Sequence, residues 1–428
     1  MADTLTSDDP RYAKLFDVKE EASANGGQVF SDLTGAMCAL RDIAPVQKGS
    51  LHHLLQLPEV GPGQYDTERE HYTLFSFENC DRAFRNNLLY SSEVYDESPG
   101  VRMMGDVILK MVGERHMNYR KLVQPMFVRP EAIKHWRPRW IEGAVKTLLD
   151  RIMGQDAVDL NLELCARLPV HIVTEGMGLG GAAALEFREH LLTSTILSRT
   201  LPQEQVAHSY AEVARMLNEL IEARRQDPQD DVVSALVAAE LEGEAGGPRQ
   251  LTNEEIFSYC RLIMLAGGGT TWRQLGITLV SLLSRRHFWE ACADNRDLIE
   301  PAIEEGARWL PTDPTFPRLL TEDVTVDGVD IPAGARVDLC LASANRDPAR
   351  WDNPHEFDIH RPRQSHLAFG IGAHRCLGME VAKQEMLEAI NGLMDRFPNI
   401  ALNQDAEAPV LMGGLHQRGY SPIQVKLV

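Results

Sequence analysis

Near the C-terminus the chain reads His366-Leu-Ala-Phe369-Gly370-Ile-Gly372-Ala-His374-Arg375-Cys376-Leu-Gly378. A helical pattern begins at Met379, so Cys376 is expected near a helix N-terminus, where free backbone N–H groups and the helix dipole favour thiolate over thiol. Glycines let the loop turn tightly and bring further N–H groups to the sulfur, and such bonds tune a metal-bound thiolate. A lone cysteine is usually structural, but F-G-x-G-x-H-x-C-x-G arises by chance in only about three such chains per million. The sequence therefore predicts that Cys376 binds a metal.

The rest of the chain indicates one large, mostly helical body. Of its 428 residues 44% are hydrophobic, which is enough for a large buried core. Helical spacing of apolar residues dominates from about Pro130 to Arg285, as in Ile141–Met153, Gln205–Arg225 and Val232–Leu241. Strand patterns occupy Gln47–Leu55, His71–Phe77 and Arg318–Leu341, the last with an Asp327-Gly328 hairpin turn. The prediction is a mainly α fold with a minor β region.

Charge and cysteine usage exclude several classes of protein. The formal net charge of −19 argues against general nucleic-acid binding, which needs clustered positive charge. The seven cysteines contain no CxxC pair, so most are expected to be buried thiols in a reducing compartment. The polar N-terminal residues indicate no signal peptide, and no apolar run approaches a membrane span. We expect a cytoplasmic protein that binds neither nucleic acid nor a membrane.

A second unusual segment lies on a predicted helix that starts with a capping-box pattern, Thr252 and Glu255. The helix pattern continues through Gly267-Gly268-Gly269, although each interior glycine costs about 1 kcal/mol relative to alanine. Two interpretations remain open from this segment alone. Either the helix breaks at the glycines, or its backbone leaves room for a bulky ligand packed against it.

The cysteine motif resembles the haem-binding signature of the cytochrome P-450 superfamily, which consists of haem-thiolate monooxygenases. The resemblance runs roughly from Tyr12 to Val425. It implies one domain, residues 1–428 with a flexible 1–15, that encloses haem b between a distal, glycine-interrupted helix and a proximal cysteine loop and helix. Cys376 would be the iron ligand, and cysteine ligation favours O–O cleavage.

The resemblance also assigns the other residues around the haem. Basic partners for the haem propionates would be His116, Arg120, Arg318 and His374, and further contacts would come from Phe369, Gly370, Gly378, Ala266 and Gly267. A structural triad of the proximal side would be Glu305, Arg308 and Arg361. Thr270 matches the threonine that holds the proton-delivering water network. Gly269 departs from the family, because an acid usually occupies that position, so the source of protons stays open.

The implied reaction inserts one atom of dioxygen into a small hydrophobic substrate such as a terpenoid, steroid, fatty acid or aromatic compound. Candidate substrate contacts are Met103, Met104, Val107, Ile196, Leu197, Leu265, Ala266, Thr315 and Phe316, with Leu415 near the end. Electrons from NAD(P)H would arrive through a separate small acidic ferredoxin, received by a basic proximal surface that includes Arg115, Lys121, Arg129 and Arg375. The alternatives are a peroxide-using or non-oxygenating haem-thiolate enzyme and a non-catalytic haem sensor or carrier.

Overall fold

Helices form most of the molecule. The computed structural model describes residues 8–19, 29–57, 68–198, 200–242, 247–415 and 417–427. In chain order, helices α1 to α17 are Arg11–Leu15, Thr34–Ile43, Leu51–Leu54, Phe77–Arg85, Pro99–Met103, Gly113–Val123, Arg129–Glu131, Glu142–Ile152, Arg167–Gly176, Ala183–Ser194, Gln203–Gln226, Val232–Ala238, Asn253–Leu283, Arg286–Asp294, Ile299–Trp309, Leu341–Ala344 and Met379–Arg396. In these described segments no helix combines the length and apolarity needed to cross a membrane.

The β region is small and forms several short sheets. Strands β1 to β14 are Val46–Lys48, His71–Leu74, Tyr90–Ser91, Ala157–Asp159, Glu240–Glu242, Pro248–Gln250, Thr315–Leu320, Val324–Val326, Val329–Ile331, Arg336–Cys340, Ala401–Leu402, Leu411–Gly413, Arg418–Tyr420 and Gln424–Lys426. The main sheet has the order β1-β2-β10-β7-β3, with β2 and β10 parallel and the other pairs antiparallel. This mainly α architecture with minor sheets confirms the predicted fold class.

Two of the sequence patterns were wrong in part. Gln47–Leu55 is a strand only at its start, because Ser50 caps helix α3 by accepting a hydrogen bond from the backbone N–H of His53 at 3.3 Å. Val232–Leu241 is helical only to Ala238 and then enters β5. The Asp327-Gly328 hairpin was predicted correctly: both residues have positive φ, 49° and 79°, as a tight turn between β8 and β9 requires.

Helix α13 is continuous from Asn253 to Leu283, so the glycines do not break it. It begins with the predicted capping box, in which the Glu255 N–H donates to Thr252 Oγ1 at 3.2 Å and the Thr252 N–H donates to Glu255 Oε2 at 2.8 Å. The space available beside the backbone differs between these glycines. A Cβ on Gly267 would lie 3.0 Å from Val173 Cγ2 of α9, whereas a Cβ on Gly269 would meet nothing within 4 Å. Close helix packing explains Gly267, and open space lies beside Gly269.

We expect Gly269→Ala to raise the free energy of unfolding by up to about 1 kcal/mol, because alanine suits a helix interior better than glycine. Gly267→Ala is the matched control on the same helix. Its methyl group would press on Val173 at 3.0 Å, so the gain should be cancelled or reversed. Denaturant unfolding of the two variants measures both changes, and equal gains would contradict this assignment of the two glycines.

Part of the N-terminal segment, for which the sequence predicts flexibility over residues 1–15, packs against the fold. Residues 1–7 lie outside the described residues, but α1 follows them, and its Tyr12 and Leu15 are buried. Phe16 packs edge-on against Trp272 of α13, with ring centroids 5.8 Å apart. A helix as short as α1 is not stable by itself, and the burial of these apolar side chains stabilises it. That residues 1–428 form one domain stays a prediction.

Candidate active site

The loop before α17 is shaped by its glycines. Gly370 and Gly372 have φ values of 61° and 74°, a backbone region that disfavours other residues. A Cβ on Gly372 would lie 2.7 Å from the Phe84 carbonyl oxygen, so this position also lacks room for a side chain. The Cys376 N–H donates to the Phe369 carbonyl at 2.7 Å and closes the loop. The loop thereby fixes the position of the Cys376 side chain.

Cys376 differs from the other cysteines in being exposed, whereas those six are buried and free. It is nevertheless surrounded by protein, and this burial raises the pKa of its thiol; the Gly378 backbone N–H and the Arg120 charge act in the opposite direction. Desolvation therefore opposes the effect that the sequence predicts for the helix N-terminus, and the metal-bound thiolate stays a prediction. A thiol in this position becomes a thiolate when it binds a metal cation.

An opening also borders the middle of α13. Ala266 is exposed, although Met264 and Gly268 on either side of it are buried. Thr270 lies one turn further along the same face and is partly exposed, and its hydroxyl donates to the Ala266 carbonyl at 3.1 Å. Exposure in the centre of an otherwise covered helix indicates an interior cavity. Gly267 was predicted to contact the cofactor. A Cβ at this position would face α9.

The four predicted propionate partners lie together. The rings of His116 on α6 and His374 in the cysteine loop stack with centroids 4.0 Å apart. Burial, together with the nearby His116, Arg318 and Arg120, lowers the pKa of His374 to about 2. Burial and Arg120 likewise lower the pKa of His116 to about 4. Four basic side chains are thus gathered where burial keeps the histidines neutral.

This basic cluster contains buried nitrogen atoms without hydrogen-bond partners. Both ring nitrogens of His116, Nε2 of His374 and Nε of Arg318 are buried and have no hydrogen-bond partner among the described residues. Arg120 Nη2 donates to the Arg375 carbonyl at 2.5 Å, which ties it to the cysteine loop. Buried polar groups are nearly always paired, so these atoms call for an acidic ligand. A haem, whose carboxylates would accept from them while Cys376 meets its iron, fits this set of residues.

The proximal triad is a buried ion-pair network. Glu305 accepts from Arg308 Nε and Nη2, both at 2.7 Å, and from Arg361 Nε at 3.2 Å. Arg308 also donates to the backbone carbonyls of Asn345 and Pro354 at 2.9 Å. The network joins α15 to the chain segment that leads into the cysteine loop. These contacts are those expected of a network that positions that loop, which is the role predicted for the triad.

The predicted substrate contacts fall into two groups. Partly exposed side chains, which can border a cavity, are Met103, Ile196, Leu197, Leu265 and Phe316. Fully buried side chains are Met104, Val107, Thr315 and Leu415. The second group packs inside the protein; Thr315, for example, pairs with Cys340 across the main sheet. The partly exposed group is the better placed to border a cavity, and the substrate contacts stay a prediction.

Sequence reasoning missed Asp313, which lies between α15 and β7. Burial raises its pKa to about 7, although Arg273, the Gln417 side chain and Arg418 oppose the shift. Its charge also raises the pKa of Cys376. An acidic residue within Trp309-Leu-Pro-Thr-Asp-Pro-Thr-Phe316 was the available signal, because the surrounding residues are mostly apolar.

Comparisons with known proteins agree with this geometry. The family model "Cytochrome P450" matches residues 187–426. The putative cytochrome P450 YjiB of Bacillus subtilis is 30% identical over 346 residues, which cover 79% of this chain and 85% of the relative. Nocardicin C N-oxygenase of Nocardia uniformis is 33% identical over 299 residues, 69% of this chain and 73% of the relative. The crystal structure of CYP109E1 from Bacillus megaterium in complex with testosterone superposes with a TM-score of 0.77 at 25% identity, covering 92% of this chain and 99% of that one.

Proposed function

This chain belongs to the cytochrome P450 family, and from that premise we propose that it oxygenates a small hydrophobic molecule in the cavity between α13 and the cysteine loop. It is a haem-thiolate monooxygenase that draws electrons from NAD(P)H through a redox partner. The observation that carries the site assignment is the set of buried, unpartnered nitrogens on His116, His374 and Arg318 beside an exposed cysteine. A protein interior rarely leaves buried nitrogens unpaired, and a ligand with carboxylates would accept from those that carry a hydrogen.

Each side of the cavity has a separate task. When bound, haem supplies an iron that accepts electrons singly and activates dioxygen. Cys376 would hold that iron; His116, Arg120, Arg318 and His374 would hold the propionates. On the distal side Ala266 leaves space, and Thr270 presents the hydroxyl nearest that space. The protein's contribution is therefore to orient the cofactor, exclude bulk water and hold protons at Thr270.

We expect Thr270→Val to lower the product formed per NAD(P)H roughly tenfold and to release more hydrogen peroxide, because the variant keeps the shape but loses the hydroxyl. Thr270→Ser is the matched control and should restore most of the coupling. Simultaneous assays of NAD(P)H, product and peroxide measure this ratio. Undiminished coupling in Thr270→Val, with substrate affinity unchanged, would contradict the proton-holding role.

A peroxide-dependent reaction is the second candidate, and Gly269 favours it because the usual acid is missing there. We expect turnover with dioxygen, a ferredoxin, its reductase and NAD(P)H to exceed turnover with hydrogen peroxide alone. Peroxide-driven activity that equals or exceeds the reductant-driven activity would overturn the dioxygen-dependent proposal. The same preparation serves both assays, so haem content cannot differ between them.

The redox partner is proposed to be a small acidic ferredoxin that docks beside the cysteine loop. A groove of about 520 Å³ lies there, and its basic lining residues are Arg85, Arg308, Arg361, Arg363, His366, Arg375 and Lys383. Lys121 and Arg375 are exposed and suit an acidic partner. Arg115 and Arg129 are already ion-paired, Arg115 with Asp106 and Arg129 with Glu300 at 2.9 Å, so we expect them to contribute less.

The substrate is proposed to be a small, mainly apolar organic molecule, and the cytoplasm stays the expected location. The partly exposed Met103, Ile196, Leu197, Leu265 and Phe316 support an apolar site. CYP109E1 was crystallised with testosterone, which makes steroids a reasonable first group of compounds to test. A library screen for compounds that shift the Soret band toward high spin would identify the class.

A further inference from the structure

Glu304 and Glu305 are neighbours on α15, but only Glu305 belongs to the proximal triad. Glu304 Oε2 accepts from His366 Nε2 at 2.9 Å, and Glu304 Oε1 pairs with Lys383 Nζ. His366 is the first residue of the cysteine motif, and Lys383 lies on α17. Glu304, His366 and Lys383 line the groove of about 520 Å³ beside the cysteine loop, and we call them the groove network. The groove network joins α15, the cysteine loop and α17.

Hydrogen bonds determine the charges within the groove network. The Ala368 N–H donates to His366 Nδ1 at 3.2 Å, so this nitrogen is an acceptor. A neutral imidazole with an acceptor at Nδ1 carries its proton on Nε2, which donates to Glu304. Burial raises the pKa of Glu304, but the hydrogen bond from His366 and the charge of Lys383 outweigh it and lower the pKa to about 2. At neutral pH the network therefore contains one anion, one cation and one neutral donor.

Phe369 connects the groove network to Cys376. Lys383 Nζ lies over the Phe369 ring, 5.2 Å from its centroid, and the His366 ring centroid lies 5.9 Å from that of Phe369. The negative face of an aromatic ring attracts a cation at this distance. The Phe369 carbonyl accepts the Cys376 N–H at 2.7 Å. The position of the Cys376 backbone therefore depends on the same residue that Lys383 and His366 hold.

The Lys383 ammonium is kept largely away from solvent. Its side chain is 9% exposed and that of His366 is 6% exposed, whereas that of Glu304, on the groove side, is 29% exposed. Salt and water screen buried charges much less than exposed ones. The Lys383 charge, one aromatic ring away from the cysteine loop, can therefore act on a thiolate at Cys376.

From these contacts we propose that the groove network positions Cys376 through Phe369, and that the Lys383 charge raises the reduction potential of the haem iron. The inference rests on the proposed role of Cys376 as the iron ligand. The step concerned is the transfer of one electron from the redox partner to ferric haem, which gives ferrous haem. Because the ferrous form carries one positive charge fewer, a cation near the thiolate stabilises it relative to the ferric form.

Two variants of the haem-loaded protein should shift this potential in opposite directions. Lys383→Met removes the cation and should favour ferric haem about tenfold, whereas Glu304→Gln removes the anion and should favour ferrous haem by a similar factor. For one electron, a tenfold change corresponds to about 59 mV. Spectroelectrochemical titration with redox mediators measures the potential without turnover. A network that only held the loop in place would shift both variants in the same direction, because either change would loosen the same contacts.

Three further variants serve as controls. Lys383→Arg keeps the charge and should stay within about twofold of the unaltered protein. The double variant, which combines Glu304→Gln with Lys383→Met, removes both charges and should return close to the unaltered potential. Asp395→Asn removes an exposed acid from the far end of α17, about 18 Å beyond Lys383, and should change nothing.

Shifts of the same sign in the two single variants, no shift in either, or an equal shift in Asp395→Asn would each overturn the inference. Loss of haem from the double variant would also overturn it, because the role of the network would then be structural only. The carbon-monoxide spectrum of the same preparations separates this inference from the proposed function. A thiolate band without opposite shifts contradicts the inference alone, whereas a missing thiolate band in the unaltered protein contradicts the role of Cys376.

Discussion

Replacing Cys376 with alanine is expected to abolish the red-shifted Soret band of the reduced carbon-monoxide complex and to reduce product formation to background. The reason is that Cys376 alone among the cysteines is exposed, while Cys38, Cys80, Cys165, Cys260, Cys292 and Cys340 are buried in other parts of the fold. Without it no thiolate can donate to the iron, and the reactivity that Cys ligation favours is lost. The measurement is the carbon-monoxide difference spectrum together with oxygen-dependent turnover.

Two further variants make the Cys376 experiment specific. Cys292→Ala removes a buried thiol of α14 and should keep the spectrum, with a modest loss of stability at most. Cys376→Ser offers an oxygen ligand of similar size and should also lose the thiolate band. A thiolate spectrum that survives in Cys376→Ala would show that another cysteine holds the iron.

Glu305→Gln is expected to lower the free energy of unfolding by about 3–5 kcal/mol, because it leaves the buried charges of Arg308 and Arg361 uncompensated. Glu305 and Arg308 are only 5% and 2% exposed, so water cannot replace the lost partner. Haem retention should fall as well, since the network positions the chain that enters the cysteine loop. Denaturant unfolding and the ratio of haem to protein measure the two effects.

Helix α15 contains its own control for this experiment. Glu300 on the same helix pairs with Arg129 at 2.9 Å, but the Arg129 side chain is 47% exposed. Glu300→Gln should therefore cost about 1 kcal/mol or less. If Glu305→Gln costs no more than Glu300→Gln, the buried triad does not stabilise the proximal side in the way we describe.

Features set by short sequence spacing could be predicted well. Glu305 and Arg308 are three residues apart on a helix, and His116 and Arg120 are four apart, so each pair shares a helix face whatever the rest of the fold does. The cysteine loop follows from its glycines, whose backbone angles few other residues tolerate. The same local logic gave the Thr252 capping box and the Asp327-Gly328 turn.

Features that depend on which distant segments meet could not be predicted. Gly267 was expected to make room for a ligand, but only tertiary packing shows that Val173 occupies its side. Met104 and Val107 have the apolar character of a substrate site, yet an apolar residue in a core has the same character. Burial raises the pKa of Asp313, and the residues that oppose the shift, Arg273 and Gln417, lie far from it in the chain.

The open space beside Gly269 has an evolutionary consequence. Because a Cβ there would meet nothing within 4 Å, a side chain could begin at this position without displacing a neighbouring atom. Most core positions lack this freedom, since added volume strains their neighbours. The chain therefore stands a single mutational step from the pattern usual in its family. A lack of room for a Cβ does not explain why this position is glycine. Selection on the reaction itself is the explanation that comparative enzymology can test.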